Sequence, residues 1–264
     1  TAQNENLNPA NFDHNDGYEL YDNNRSRRAK DLIDALDKIS YADLKRIKFD
    51  RQLPATILYP YGFNADSLFL VDENNYPTLA PLILSLKKWD HNAIATSNGA
   101  LIYNLAYYYV PKLMSSKSTI NNDRKFEKLT LQEAIETYQY IYDFLMKNYN
   151  RLDLSLGEMQ RLVRGDENWP QGGMPDVLAA VQTQPYGTGQ RKMNSGDAYI
   201  EFVRFPKDGS LPLIESVNTF GASSNKGDKH YADQRAMYQA QQVKKMTLDK
   251  NEVLKNAERT YHPQ

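Results

Sequence analysis

The sequence predicts an α+β fold, on three observations. Apolar residues recur at helical spacing through the middle of the chain, β-branched and aromatic runs broken by turn residues lie towards its ends, and the composition supports a packed core. Of the 264 residues, 41% are hydrophobic and 11% aromatic, with 19 tyrosines. A disordered chain would be poorer in aromatics and further from charge balance. The length allows one large domain or two smaller ones, and no internal repeat is visible. A mean hydropathy of −0.71 leans polar, so much of the chain should lie on a surface or line an irregular cleft.

Residues 1–20 read as an Asn- and Asp-rich loop with a short strand at 1–5. A helix starts near Asn24, where Ala29, Leu32, Ile33 and Leu36 mark one face. Its basic cluster Arg25-Ser26-Arg27-Arg28-Ala29-Lys30 is interleaved with that stripe, so Arg27, Arg28 and Lys30 are expected to form a solvated face. Ser40 and Asp43 make a capping-box start for a short helix carrying Leu44 and Ile47. Residues 50–78 look irregular, punctuated by Pro54, Pro60, Gly62 and Pro77. A helix over 79–89 follows, then one over 97–114 that is apolar nearly all round and should be buried, then a polar loop over 115–125.

The clearest helix is 131–149, with Thr130 and Glu133 as its capping box and Leu131, Ala134, Ile135, Tyr138, Ile141, Tyr142, Leu145 and Tyr149 as one apolar face. Ser155 and Glu158 cap a further helix bearing Leu156, Met159, Leu162 and Val163. After Gly165, prolines and glycines break up the chain. Strands are then expected at 198–205 and 211–220 around a Lys207-Asp208-Gly209 turn. A strand near 243–246 and a helix capped by Thr247, with Val253, Leu254 and Ala257 inward, complete the reading.

Several function classes fall away. The 32 Lys and Arg nearly balance 33 Asp and Glu, giving a formal net charge of −1, so no basic field exists to hold a nucleic-acid backbone. There is no cysteine, hence neither a disulfide framework nor a thiolate metal site. No apolar run reaches the roughly 18 residues a membrane span needs, no signal-peptide pattern is read within these residues, and no phosphate loop or dinucleotide fingerprint occurs. The chain begins in mid-pattern at Thr1-Ala2-Gln3-Asn4, which reads like an internal fragment.

Three features could carry chemistry. In Gln3-Asn4-Glu5-Asn6-Leu7-Asn8-Pro9 a strand ends in a cluster of side-chain amides. An Asn amide offers two uncharged donors, and a fixed donor at the oxygen of an attacked amide carbonyl is worth about 10²–10³ in rate. Taken alone, such a loop is most often just a turn. The second feature, Arg25 at the mouth of the first helix, would alone be one more surface arginine. The third is Ser216-Val217-Asn218-Thr219-Phe220-Gly221-Ala222-Ser223, followed by His230-Tyr231-Ala232-Asp233-Gln234. Ser223, His230 and Asp233 invite a triad, but the spacing is wrong for one and no nucleophile elbow is present. Asp13, His14 and Asp16 cluster as a metal site might, yet one His with two close Asp in a polar loop is usually only a loop.

Together these blocks resemble the C-terminal half of the β chain in the penicillin acylase family of N-terminal-nucleophile hydrolases, which includes homoserine-lactone and aculeacin-type acylases. Gln3-Asn4-Glu5-Asn6 is similar to the family's Q/A-N-x-N segment, and Asn24-Arg25 to its arginine position. Gly157-Glu158-Met159-Gln160-Arg161-Leu162-Val163-Arg164-Gly165 resembles the G-E-v-h-R-l-v-R-G block. Gly172-Gly173-Met174-Pro175-Asp176-Val177-Leu178 resembles G-G-x-p-d-v-L. Gly196-Asp197-Ala198-Tyr199 is similar to G-D-S-Y, and Gly221-Ala222-Ser223-Ser224 with His230-Tyr231-Ala232-Asp233-Gln234 to G-Q-S-s and H-Y-x-D-Q. Ala198 and Ala222 depart from the Ser and Gln usual there, and residues 60–80 match nothing in the family.

The resemblance implies part of an αββα sandwich with a large helical insertion. Residues 1–22 would give a core strand and active-site loop, 23–170 a helical subdomain, and 171–264 core strands and a C-terminal helix. It implies cleavage of an N-acyl amide (penicillin, acyl-homoserine lactone or lipopeptide type) through an acyl-enzyme on an N-terminal serine. Asn6 would stabilise the oxyanion and Arg25 would organise the site. The nucleophile would lie upstream, so the isolated segment should be inactive. Thr1 is a poor substitute, because it sits five residues before Asn6 in the same strand. The implied partners are the α subunit and the N-terminal half of the β subunit, with a small acyl-amide substrate. No cofactor is implied in this segment, although a structural calcium elsewhere fits the family, and the location would be periplasmic or secreted. The alternatives are a non-catalytic binding module on the same scaffold and an unrelated α+β periplasmic binding domain.

Overall fold

A computed structural model of the protein describes residues 22–59, 64–117 and 128–260. They fall in two compact units, the first ending at Gly196 and the second beginning at Asp197. Helices dominate the first unit and a small sheet the second, the mixed content of the expected α+β class. No helix among the described residues is long and apolar enough to cross a membrane.

The first unit is built on helices. Two come early, α1 (Asn24–Asp34) and α2 (Tyr41–Lys48), the latter opened by the expected Ser40/Asp43 box. A one-turn α3 (Ser67–Leu70) lies in the stretch expected to be irregular. The core is α4 (Ala80–Lys87), α5 (Asn98–Lys117) and α6 (Leu131–Tyr149). Thr130 Oγ1 accepts from the Glu133 N–H at 3.2 Å and the Glu133 carboxylate accepts from the Thr130 N–H at 2.9 Å, so two orphan donors of α6 are satisfied. Ala134, Tyr138, Ile141 and Leu145 are buried along one face. Each large apolar side chain so buried stabilises the fold by about 1.5–3 kcal/mol. Tyr138 keeps its hydroxyl paired inside the core by donating to the Leu68 carbonyl at 2.9 Å.

Helix α5 outruns its expected end, reaching Lys117 through Pro111. Leu101, Ile102, Leu105 and Val110 are buried as the pattern requires, whereas Tyr107 reaches the surface. At Gly99 a Cβ would run into the side chain of Trp89, so only glycine lets α5 approach the end of α4 this closely. Not every expected face is buried: on α1 Ile33 is 42% exposed, while the polar Asn24 and Ser26 are buried.

The helix expected after Ser155 is a single turn, α7 (Leu156–Met159), and Leu162 and Val163 lie instead on β1 (Gln160–Arg164). A two-residue turn, Gly165-Asp166, with Gly165 at φ 59°, returns the chain as β2 (Glu167–Pro170). Next come β3 (Val181–Tyr186) and β4 (Gln190–Gly196), joined through Gly187 and Gly189, both at positive φ. The sheet order is β2-β1-β4-β3, antiparallel except for the β1–β4 pair. Tyr108 of α5 ties helix to sheet, its hydroxyl accepting from the Thr183 N–H at 3.1 Å and its ring lying 3.8 Å from the Arg191 guanidinium.

The second unit is an antiparallel sheet, β5 (Tyr199–Arg204), β6 (Leu213–Asn218) and β7 (Lys244–Met246) in the order β5-β6-β7. Ile200, Phe202 and Val217 are buried with Tyr238 of α8 (Arg235–Gln239). Helix α9 (Lys250–Asn256) is capped by Asp249 rather than Thr247, because the Asp249 carboxylate reaches the N–H groups of both Asn251 and Glu252. Val253 and Leu254, expected inward, are 49% and 55% exposed, and Ala257 is exposed as well.

Candidate active site

The mouth of α1 is where polar side chains are buried and committed. Asn23 caps the helix: its side-chain Oδ1 accepts from the Ser26 N–H at 2.8 Å, and Ser26 Oγ accepts from the Asn23 N–H at 2.9 Å. Asn24 then uses its whole amide. Its Nδ2 donates to the Asp176 carboxylate at 2.5 Å and to the Leu58 carbonyl at 2.9 Å, while its Oδ1 accepts from the Leu58 N–H at 2.6 Å. One side chain therefore joins the helix start to two distant loops.

Asp176 is the other half of this junction. Besides the Asn24 side-chain amide it accepts from the Asn24 backbone N–H at 3.3 Å. It sits at φ 65°, a left-handed conformation that Asp tolerates better than most residues. Burial pushes its carboxyl above the ordinary aspartate range, opposed by the Asn24 hydrogen bonds and the charge of Arg25.

Arg25 is half-buried, and its Nε is buried with no hydrogen-bond partner among the described residues. Arg25 and Asp176 lie on the wall of a cavity of about 320 Å³ whose other walls include Tyr59, Tyr103, Tyr107 and Val110. All three phenols are held above the ordinary tyrosine range. Burial leads in each case, pushing Tyr107 to about 12 with help from the Asp176 charge, while Tyr59 is also raised by Asp66 and Tyr103 by Tyr59. The cavity thus presents one guanidinium, one half-buried carboxyl group and three phenols, set in partly apolar walls. That combination can orient and polarise a polar group while excluding water from it.

Of the residues singled out in the sequence, Arg25 falls at this cavity, and Asn6 lies outside the described residues, as do Thr1, Asp13, His14 and Asp16. Asn24 and Asp176 occur in the motif blocks, but no sequence signal joins positions 152 residues apart. Arg28 leaves the solvated face expected of it: its guanidinium forks onto the Asp50 carboxylate at 2.9 and 3.1 Å, half-buried. The rejected triad stays rejected in the second unit. His230 Nδ1 faces Asp233 at 2.7 Å and its Nε2 faces Glu258 at 3.2 Å, so neither ring nitrogen is left to serve a serine.

The family model described as penicillin amidase matches residues 1–255 of the chain. The acyl-homoserine lactone acylase PvdQ of Pseudomonas fluorescens is 30% identical over 89 residues, which is 33% of this chain and 11% of that protein. The solved thermostable penicillin G acylase of Alcaligenes faecalis is similar over 97% of this chain and 55% of its own, at 13% identity and a TM-score of 0.46. The chain spans only part of the length of both.

Proposed function

The chain belongs to the penicillin amidase family, and from that premise we propose that it is the C-terminal segment of an amidohydrolase that cleaves N-acyl amides. The observation that carries this reading is Arg25, next to the Asn24 that is bonded to the half-buried Asp176 carboxylate, with its Nε buried and without a partner among the described residues at the wall of a partly apolar cavity. The attacking group is a serine at the head of the β chain, supplied by polypeptide outside this segment. Its own α-amine is the base, and that group titrates near 7.7–8.0, close to working pH. Attack on the amide carbonyl gives an acyl-enzyme that water releases.

In this mechanism the Asn6 amide donates to the oxyanion. Arg25 holds Asn6 and, by its charge, favours the neutral, basic form of the amine. The remainder of the precursor completes the site, and the setting is the periplasm or the exterior of the cell.

Asn6→Ala in the full-length enzyme should lower kcat at least about tenfold with an unchanged circular-dichroism spectrum. Wild-type turnover in that variant removes Asn6 from the mechanism. The isolated 264-residue segment, incubated with phenylacetyl or long-chain acyl amides, should release no product, and release would show that the upstream serine is not needed.

A further inference from the structure

We propose that Asp176 is a positioning residue of this site: its carboxylate fixes the Asn24-Arg25 start of α1 and thereby sets the Arg25 guanidinium at the reaction centre. The inference rests on the function proposed above and extends it to a residue in a different sequence block.

The geometry is unlike that of an ordinary ion pair. A carboxylate that only neutralised Arg25 would bond its guanidinium. Asp176 instead accepts from the Asn24 side-chain amide and from the Asn24 backbone N–H, and the Arg25 Nε is left without a partner among the described residues. The carboxylate thus aims the side chain without occupying Nε. Among the described residues, Arg25 and the phenols of Tyr103 and Tyr107 are the titratable groups whose charge interacts with Asp176.

The loop that presents Asp176 is pinned on both sides. The Gly173 N–H donates to the Ala93 carbonyl at 2.7 Å and the Gly173 carbonyl accepts from Gln160 Nε2 at 2.7 Å. Beyond Asp176, the Ala179 N–H donates to the Asp50 carbonyl at 2.9 Å and the Val181 N–H to the Met174 carbonyl at 3.2 Å. Asp50 also receives the Arg28 fork from α1, so helix and loop share a second anchor. A left-handed non-glycine residue persists where its surroundings over-determine it, and such positions cluster at functional sites. Burial also disfavours the charged carboxyl here. A carboxylate kept against stability fits a role in the reaction better than one in the scaffold.

The test is a double-mutant cycle in the full-length enzyme: Asp176→Asn, Arg25→Ala and the pair, with Asn6→Ala in parallel. Asparagine tolerates the left-handed backbone, so Asp176→Asn removes the charge and one acceptor while leaving the turn accessible. We expect kcat to fall about tenfold or more, and the acidic limb of kcat/KM to move to lower pH. The sign follows because Arg25, no longer offset by a carboxylate, favours the neutral amine more strongly. We also expect Asp176→Asn to add little once Arg25 is alanine, since one residue acts through the other. Full multiplication of the two losses, or a lower melting temperature with wild-type kcat and acid limb, overturns the proposal.

Should Asp176→Asn not fold, Asn24→Ser replaces it in the cycle, and additivity there overturns the proposal equally. Loss of activity in Asn6→Ala with wild-type behaviour in Asp176→Asn sinks only the role of Asp176. Wild-type activity in Asn6→Ala sinks the function on which it rests.

Discussion

Helices α1 and α6 both open with a capping box, yet they are held in opposite ways. Helix α6 buries Ala134, Tyr138, Ile141 and Leu145 along one face and closes its own start with the Thr130/Glu133 box. Helix α1 buries Asn24 and Ser26 and leaves Ile33 at the surface. The first is anchored by apolar area, which is non-directional and tolerant of small shifts. The second is anchored by hydrogen bonds and an ion pair, which fix direction at modest net stability. The scaffold is therefore built from one kind of helix, and the candidate site is aimed by the other.

Three measurements would break or sharpen that contrast. Ile141→Ala should show the largest effect, lowering unfolding free energy by about 2–5 kcal/mol in denaturant titrations, as deletion of a buried aliphatic chain does. A loss below about 1 kcal/mol would mean that α6 is not anchored by its apolar face. The polar anchor should respond to pH where the apolar one does not. The Asp176 carboxyl is raised in the folded state, so the fold binds its proton more tightly than the unfolded chain does. Its contribution therefore falls as pH rises from the ordinary aspartate range through the raised value, and is level above it. The stability of wild type relative to Asp176→Asn should decline across that window, read from urea midpoints at a series of pH values. A rising difference would reverse the assigned sign. The smallest effect is expected for Ile33→Ala on the exposed face of α1, within about 0.5 kcal/mol, and a loss above about 1.5 kcal/mol would show that face to be buried in the protein studied.

What could be read from the sequence divides along the same line. The S/T-x-x-D/E boxes at Ser40, Thr130 and Ser155 are local signals, and each opens a helix where expected. Periodicity located the apolar face of α1 but not what covers it, since a stripe of Leu32, Ile33 and Leu36 carries no record of its partner. Strands β1 to β4 were hidden for another reason. Val181 and Thr183 are buried while Gln182 and Gln184 are exposed, a true period of two, but half of it is written in polar residues. The Gly165-Asp166 and Gly187-Thr188-Gly189 turns looked like interruptions rather than hairpin connections. Arg25 stood out only through the family resemblance. Asp176 was visible in its own block but not as the partner of Asn24, because that pairing exists only once the chain has folded.

The Asn24 amide reaches partners 34 and 152 positions along the chain. Helix α6 needs only neighbours in sequence to begin, whereas this junction must wait for two large loops to close, a step whose entropic cost grows with loop length. The expected outcome in refolding is that helical signal returns before a competent cavity mouth, because the Asn24 bonds need both loops closed.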